Sequence, residues 1–240
     1  MAKMYEALEN AGQSRGGGVG LSPAMPAGLR ISKPLENKLL AVARRVLAAR
    51  QREDSVVVQF ASTQDGEDSS RIATAFAKLI PLRLGRQTLL LTAGPRPASR
   101  KLLPGSGARG WDAVLTGEAQ VEDTIYSTEI PGLSVGEISA HASSLPTVLA
   151  SPKARQILEQ LRSRFDIIVI DTPPVNASWD AISLASMTDG AVLVVEAGRT
   201  RWQAVKAAVD NIEEQQGRVF GVVLNKQRHY IPAWIYRRFL

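Results

Sequence analysis

The sequence predicts an α/β fold, a doubly wound and mainly parallel sheet, and three observations carry that prediction. Short, nearly continuous apolar runs recur at Val56–Phe60, Thr88–Leu91, Ile167–Ile170, Ala191–Val195 and Val219–Leu224, the pattern of strands buried on both faces. Between several of them the apolar residues change to helical spacing, which places crossover helices between parallel strands. The chain has 240 residues, 45% of them hydrophobic, enough to bury one full sheet in one domain rather than two.

In chain order, residues 2–11 read as a short helix with Met4, Leu8 and Ala11 on one side, so 1–11 is an N-terminal helical unit. Gly, Ser and Pro crowd the stretch from Gly12 to Gly28, making 12–33 a flexible linker. From Pro34 to Arg52 the residues Leu35, Leu39, Val42, Val46 and Leu47 recur at helical spacing, an amphipathic helix leading into the first strand. Ile72, Phe76, Leu79 and Ile80 form a second helical stripe that closes before Pro81. Residues 92–150 are less regular, with a short helix marked by Trp111, Val114 and Leu115 and an additional strand at Leu133–Val135. Ile157, Leu158 and Leu161 mark another helix, and Val205, Ala208, Val209 and Ile212 a further one. The domain then spans 34–227 and is followed by an aromatic and basic tail, 228–240. There is no internal repeat.

Composition removes whole classes of chemistry. With no cysteine and only His141 and His229, disulfide frameworks, thiolate nucleophiles, zinc-thiolate sites and histidine-rich metal sites are excluded. The opening residues lack the apolar core of a signal peptide, and no stretch is long enough for a membrane span, so neither secretion by that route nor membrane integration is expected. A net charge of +6 and a pI near 9.8 favour an acidic partner: anionic lipid, nucleic acid or an acidic protein segment. The basic residues are also interspersed with acids, as on an ordinary solvated surface.

The stretch Val56 to Ser70 has the layout of a strand running into a phosphate-binding loop and helix, the arrangement of P-loop NTPases. In such a loop a glycine lets backbone N–H groups close on phosphate and the following lysine supplies charge. Asp68 and Ser69 hold those two places. Unit charges about 4 Å apart interact by roughly 4 kcal/mol at an effective dielectric near 20, so losing the lysine and adding a carboxylate costs nucleotide affinity orders of magnitude. Asp68 or Ser69 also suits the cap of the following helix, where a built-in carboxylate can take the place of a phosphate. Ligands of such sheets sit at the carboxyl ends of strands, which gathers the 61–70 loop, the 92–97 loop, Asp171-Thr172-Pro173-Pro174 and Asn225 around one crevice.

Phe165-Asp-Ile-Ile-Val-Ile-Asp-Thr-Pro-Pro-Val175, Asp189 to Thr200 and Gly221-Val-Val-Leu-Asn225 closely resemble the CpsD/CapB-like bacterial tyrosine kinases of capsule and exopolysaccharide assembly. These belong to the deviant-Walker P-loop group that also contains MinD and ParA. Trp111 to Glu118 and Val121 to Ile125 resemble the family's middle segment. The resemblance implies an α/β protein at the inner face of the cell membrane that works with a membrane chain-length regulator, or polysaccharide co-polymerase. Active members bind ATP and Mg²⁺ and phosphorylate a C-terminal tyrosine cluster on a neighbouring subunit.

Carried over residue by residue, the resemblance keeps Gly66, Glu67 and Ser70 for nucleotide, Asp171 as the Walker B aspartate, and Asn225 at a position that contacts adenine in relatives. It loses the glycine and lysine to Asp68 and Ser69, and both acids after the second strand to Thr92 and Gly94, with Arg96 at the following arginine. The early helix also departs: from Glu36, the arginine places of the family's oligomerisation pattern hold Leu39 and Val42. Asp171 either orders a weak Mg²⁺ site or hydrogen-bonds the loop backbone or Ser70; Asn225 reads a base or caps the strand end; Thr172-Pro173-Pro174 sets a rigid turn. The tail offers Tyr230 and Tyr236 as phosphoacceptors, while Trp234, Tyr236, Arg237, Arg238 and Phe239 suit docking on an anionic membrane or a partner groove. Packing of Trp234, Ile235 and Phe239 back on the domain is the alternative.

The reading that follows is a non-enzymatic adaptor or regulator of polysaccharide polymerisation and export, with no ATP or Mg²⁺ expected in its site. Its partners would be the membrane chain-length regulator and an active paralogous kinase. A weakly active autokinase is the first alternative, and a ParA-like partition protein that binds DNA the second. Nucleic acid is the less favoured partner, because the tail and middle segment follow the polysaccharide group.

Overall fold

A computed structural model describes residues 31–49, 55–94, 96–139 and 143–227. The N-terminal unit, nearly all of the linker and the whole 228–240 tail lie outside the described residues.

The elements begin with helix α1 (Lys33–Ala48), strand β1 (Val56–Ser62), helix α2 (Ser69–Leu84) and strand β2 (Thr88–Ala93). The short helices α3 (Pro97–Arg100) and α4 (Trp111–Thr116), the hairpin strands β3 (Ile125–Ser127) and β4 (Leu133–Ser139), and helices α5 (Leu145–Ala150) and α6 (Pro152–Arg162) follow. Strand β5 (Ile167–Asp171), helix α7 (Trp179–Ala185), strand β6 (Gly190–Glu196), helix α8 (Trp202–Glu214) and strand β7 (Val219–Asn225) complete the domain. The seven strands are ordered β3-β4-β2-β5-β1-β6-β7, parallel throughout except where β3 runs antiparallel to β4.

Helices cover both faces. Leu39, Val46, Phe76 and Ile80 of α1 and α2 bury against Val58, Phe60 and Val169, with the Phe60 and Phe76 ring centroids 4.9 Å apart. Trp111, Ile157 and Leu161 cover Val57, Leu89 and Ile170 on the other face. Alternate residues of a strand point to opposite faces, so runs such as Val56-Val57-Val58 need apolar neighbours on both sides. The parallel, doubly wound expectation is met.

Four local expectations are corrected. The helix expected to close before Pro81 continues to Leu84; the proline sits in its last turn, where one missing N–H costs a single bond, and Gly85 (φ 63) ends the helix by donating to the Pro81 carbonyl at 3.1 Å. The extra strand runs to Ser139, paired with the unanticipated β3, too short to show a period. Helix α7 was not anticipated either, because seven residues give only two turns of pattern. Strand β7, expected to be buried on both faces, forms a sheet edge and leaves Val222 and Leu224 exposed. A parallel edge strand needs its hydrophobicity only toward its helix and its neighbour.

Candidate functional site: a crevice wired to itself

The crossing of α2 and the carboxyl ends of β1, β2, β5 and β7 brings the sequence-predicted residues to one place. The loop from Thr63 to Asp68 has the left-handed backbone that a phosphate loop requires, with φ 87° at Gly66 and φ 60° at Asp68. Asp68 therefore takes a conformation usually given to glycine, which Asp tolerates better than most residues. It occupies the N-cap position of α2, but its side chain makes no capping bond. Its carboxylate instead lies 3.2 Å from Nζ of Lys226, so the expected cap is not its role.

Glu67 is 1% exposed and turned into its own loop. Its carboxylate accepts from the backbone N–H of Thr63 at 2.6 Å and of Gln64 at 3.2 Å, and from the hydroxyls of Thr63 and Thr200. The loop's own N–H groups are thus partly satisfied by a resident carboxylate, the use that backbone N–H groups most readily accept when buried. Asn225 donates its amide to the Glu67 carbonyl at 3.2 Å. Lys226 donates to the Gly66 carbonyl at 2.7 Å and pairs with Glu196 at 3.2 Å. Neither residue caps the end of β7; both tie it to the loop.

On the other side of the loop, Asp171 is fully buried. Its Oδ2 accepts from Ser70 at 2.5 Å and from Ser99 at 2.6 Å, and its Oδ1 lies 3.5 Å from Nε of Arg96. Burial raises the Asp171 carboxyl above its usual range, opposed by the Arg96 guanidinium and the two hydroxyls. Nη2 of Arg96 also donates to the Ser69 hydroxyl at 3.1 Å, setting a cation beside the residue that replaces the lysine.

Sheet register explains the rest. Thr92 stands opposite Asp171 of β5 and Glu137 of β4, so the three side chains share one face, with carboxylates on both flanking strands. Glu137 is 1% exposed and lies 3.7 Å from Nη1 of Arg100. Arg96, Ser99 and Arg100 thereby hold α3 down on two carboxylates. Gly94 (φ 82) only turns the chain, its N–H donating to the Ser139 carbonyl at 3.1 Å. Thr172 accepts from Gln59 at 3.1 Å and donates to the Phe60 carbonyl at 3.1 Å, which ties the end of β5 to β1; the turn expected at Thr172-Pro173-Pro174 falls after the prolines, at residues 175–177.

Sequence reading missed Ser99, Arg100, Glu137, Thr200 and Lys226. Ser99 and Arg100 stand three and four residues after Arg96, but a helix of four residues is too short for that spacing to be read, and no spacing points to the others. Tyr230, Trp234, Tyr236, Arg237, Arg238 and Phe239 lie outside the described residues. The donor set suits Mg²⁺ poorly: the ion prefers carboxylates with phosphate oxygens and several waters, whereas Asp171 gives its Oδ2 to two hydroxyls and leaves only Oδ1, buried without a hydrogen bond and 3.5 Å from the Arg96 guanidinium. Among the described residues no cluster of three His, Cys, Asp or Glu side chains could hold a metal.

A parallel sheet whose first strand runs through a left-handed loop into a helix, with a buried aspartate ending the neighbouring strand, defines the P-loop NTPase class. Comparison with known proteins narrows it. No family model matches the sequence. The tyrosine-protein kinase CpsD of Streptococcus agalactiae is 30% identical over 187 residues, covering 76% of this chain and 80% of the kinase. The succinoglycan biosynthesis transport protein ExoP of Rhizobium meliloti is 32% identical over 177 residues, 72% of this chain but 22% of that protein. Among solved structures, the kinase domain of VpsO superposes with a TM-score of 0.68 at 31% identity, covering 82% of this chain and 98% of that one. The chimerical protein CapA2B2 gives a TM-score of 0.73 at 25% identity, covering 82% and 87%. MinD of Pyrococcus furiosus, 23% identical with a TM-score of 0.58 over 77% of this chain and 78% of its own, shares the fold. The chain belongs to the bacterial tyrosine kinases of capsule and exopolysaccharide assembly.

Proposed function

We propose that this chain is a non-catalytic member of its family, an adaptor or regulator of polysaccharide polymerisation and export that partners a membrane chain-length regulator. One observation carries the reading: Asp171, the carboxylate that would serve a phosphate-bound cation, gives its Oδ2 to Ser70 and Ser99 and faces the Arg96 guanidinium with its Oδ1, a cation standing where a metal ion would have to sit. Phosphoryl transfer depends mostly on positioning and charge stabilisation, and the chain lacks the loop lysine and both acids at Thr92 and Gly94. An active paralogous kinase is a second partner of this reading. The expected result of calorimetry on the full chain is ATP·Mg²⁺ binding no tighter than about millimolar, with no phosphate release above background. Micromolar binding or ATP-dependent tyrosine phosphorylation would overturn it.

A weak autokinase is the second reading, favoured by Arg96 beside Ser69; turnover abolished by Arg96→Met would select it. The tail is proposed to hold the protein against the inner face of the membrane. Among the described residues no helix is long and apolar enough to cross one, and basic side chains at an anionic surface contribute about 1 kcal/mol each. Trp234→Ala is expected to weaken membrane association at all salt concentrations, and Arg237→Ala with Arg238→Ala in a salt-dependent way. Full association after deletion of 228–240 would sink the idea.

A further inference from the structure

We infer that the starts of α7 and α8 form a membrane-docking face, through which Trp179 and Trp202 enter the interface of an anionic bilayer. The inference rests on the reading that the protein works at the inner face of the membrane, and it gives the folded domain a contact of its own beside that of the tail. Five large apolar side chains are exposed among the described residues, and Trp179 and Trp202 lead them at 78% and 69%, well ahead of Leu224 at 46%. Trp111, by contrast, is buried. Each exposed tryptophan is the first residue of a helix that follows a strand, α7 after β5 and α8 after β6.

Topology puts the two rings on one surface. Strands β5 and β6 both run parallel to β1, which lies between them, so α7 and α8 start at the same edge of the sheet. Their inner sides share one core, with Ala181, Ile182 and Ala185 of α7 beside Ala208 and Ile212 of α8. The Asn176 amide donates to the Ala204 carbonyl at 3.1 Å, which joins the chain three residues before Trp179 to the chain two residues after Trp202. Neither tryptophan lines the clefts beside α2, at the edge of β7 or between α4 and α6. The face is therefore open, suited to a bilayer surface rather than to a segment that needs a groove.

Charge selects an anionic surface. Residues 197–209 carry Arg199, Arg201 and Lys206 and no acid, and all three cations are exposed. The acids beside them are already engaged: Glu196 by Arg199 and Lys226, Asp210 by Lys206, and Asp180 by the Ser178 hydroxyl. An indole suits the level of lipid headgroups because its ring takes apolar contact while its N–H stays at the polar side, and each neighbouring cation draws the face toward anionic lipid. The tail starts from the same place. Asn225, at the end of β7, stands opposite Glu196 and accepts from the Ala197 N–H at 3.0 Å, so the chain leaves the described fold beside the Arg199–Arg201 loop. Two contacts at one edge act as a single bivalent attachment.

The test is co-sedimentation of the full chain with vesicles of phosphatidylcholine and phosphatidylglycerol, joined to tryptophan fluorescence. Trp179→Ser with Trp202→Ser, both exposed and so without cost to the core, is expected to weaken binding about tenfold or more. Arg199→Gln with Arg201→Gln should weaken it about fivefold or more, at low salt only. Leu84→Ser, exposed at the far end of α2, should change nothing. In a full chain carrying Trp234→Phe, lipid brominated on its acyl chains should quench the fluorescence of Trp179 and Trp202. Absence of quenching, indifference to the Trp179 and Trp202 pair, or an equal loss with Leu84→Ser overturns the inference. Native membrane vesicles that bind where vesicles of their extracted lipid do not would give the face to a protein and overturn it as well. If Trp234→Ala with Arg237→Ala and Arg238→Ala removes all binding while the Trp179 and Trp202 pair has no effect, this inference fails and the tail reading stands. The reverse result leaves the inference standing and removes the tail.

Discussion

The loop after β1 and the loop after β2 leave the same edge of one sheet, yet they depart from a working phosphate site in opposite ways. The first keeps its backbone path, with left-handed Gly66 and Asp68 and a buried Glu67, and loses only charge. The second has no carboxylate of its own and uses Arg96, Ser99 and Arg100 to grip the carboxylates of β5 and β4. Backbone path is held by many hydrogen bonds at once, so it survives single replacements. The sign of the charge in the crevice rests on a few side chains, so it does not.

The comparison can be broken most severely at Glu67. Removing its carboxylate in Glu67→Ala leaves the buried N–H of Thr63 and its neighbours without an acceptor, for an expected loss of about 3 kcal/mol. Urea unfolding measures it, and a loss below about 1 kcal/mol would mean that the first loop holds its path by other means.

A smaller effect probes the second loop. Arg96→Met strands a buried carboxylate while Asp171→Asn removes it, and breaking a buried pair from the cationic side is the more damaging change. Arg96→Met is expected to cost about 2 kcal/mol near neutral pH and Asp171→Asn about 1 kcal/mol or less; the reverse order would show that Ser70 and Ser99, not Arg96, hold the carboxylate.

Protonation sharpens the same pair. Burial raises the folded pKa of Asp171 above its ordinary 3.8, so the folded state binds the proton more readily than the unfolded chain. The associated stability is fully present below the unfolded value and is lost as pH rises through the folded one. Wild type should therefore gain on Asp171→Asn when urea unfolding moves from about pH 7 to about pH 4.5. A constant difference contradicts the raised pKa.

The smallest effect belongs to Asp68→Gly. It relieves a left-handed φ of 60° and loses a pair with Lys226 that is one-third exposed on both sides, where such pairs contribute about 0–1 kcal/mol. A net change within about 1 kcal/mol, toward stability, is expected. A clear destabilisation would make the Lys226 clasp, not the backbone, the support of the first loop.

Much of this was legible in the chain. Val56–Phe60 and Ile167–Ile170 read as doubly buried strands because every residue is apolar or nearly so, and parallel pairing follows from the helices between them. Asp68, Ser69, Thr92 and Gly94 were legible as departures because each falls at a position whose chemistry is known. The contact of Asp171 with Ser70 was one of the alternatives the chain left open for that carboxylate. The grip of Ser99 and Arg100 was not, since a four-residue helix has too few turns to show which face it presents.

What the sequence determined by itself is therefore the strand and helix periods, the loop between β1 and α2, and the list of charges that are missing. Only the tertiary structure decided where the remaining charges go: Glu67 to Thr200, 133 residues away, Lys226 to Gly66, 160 residues away, and Arg96 to Asp171 across the sheet. Periodicity is a local property of a chain, whereas a charge finds its partner only after strand order and register have brought distant loops to one edge.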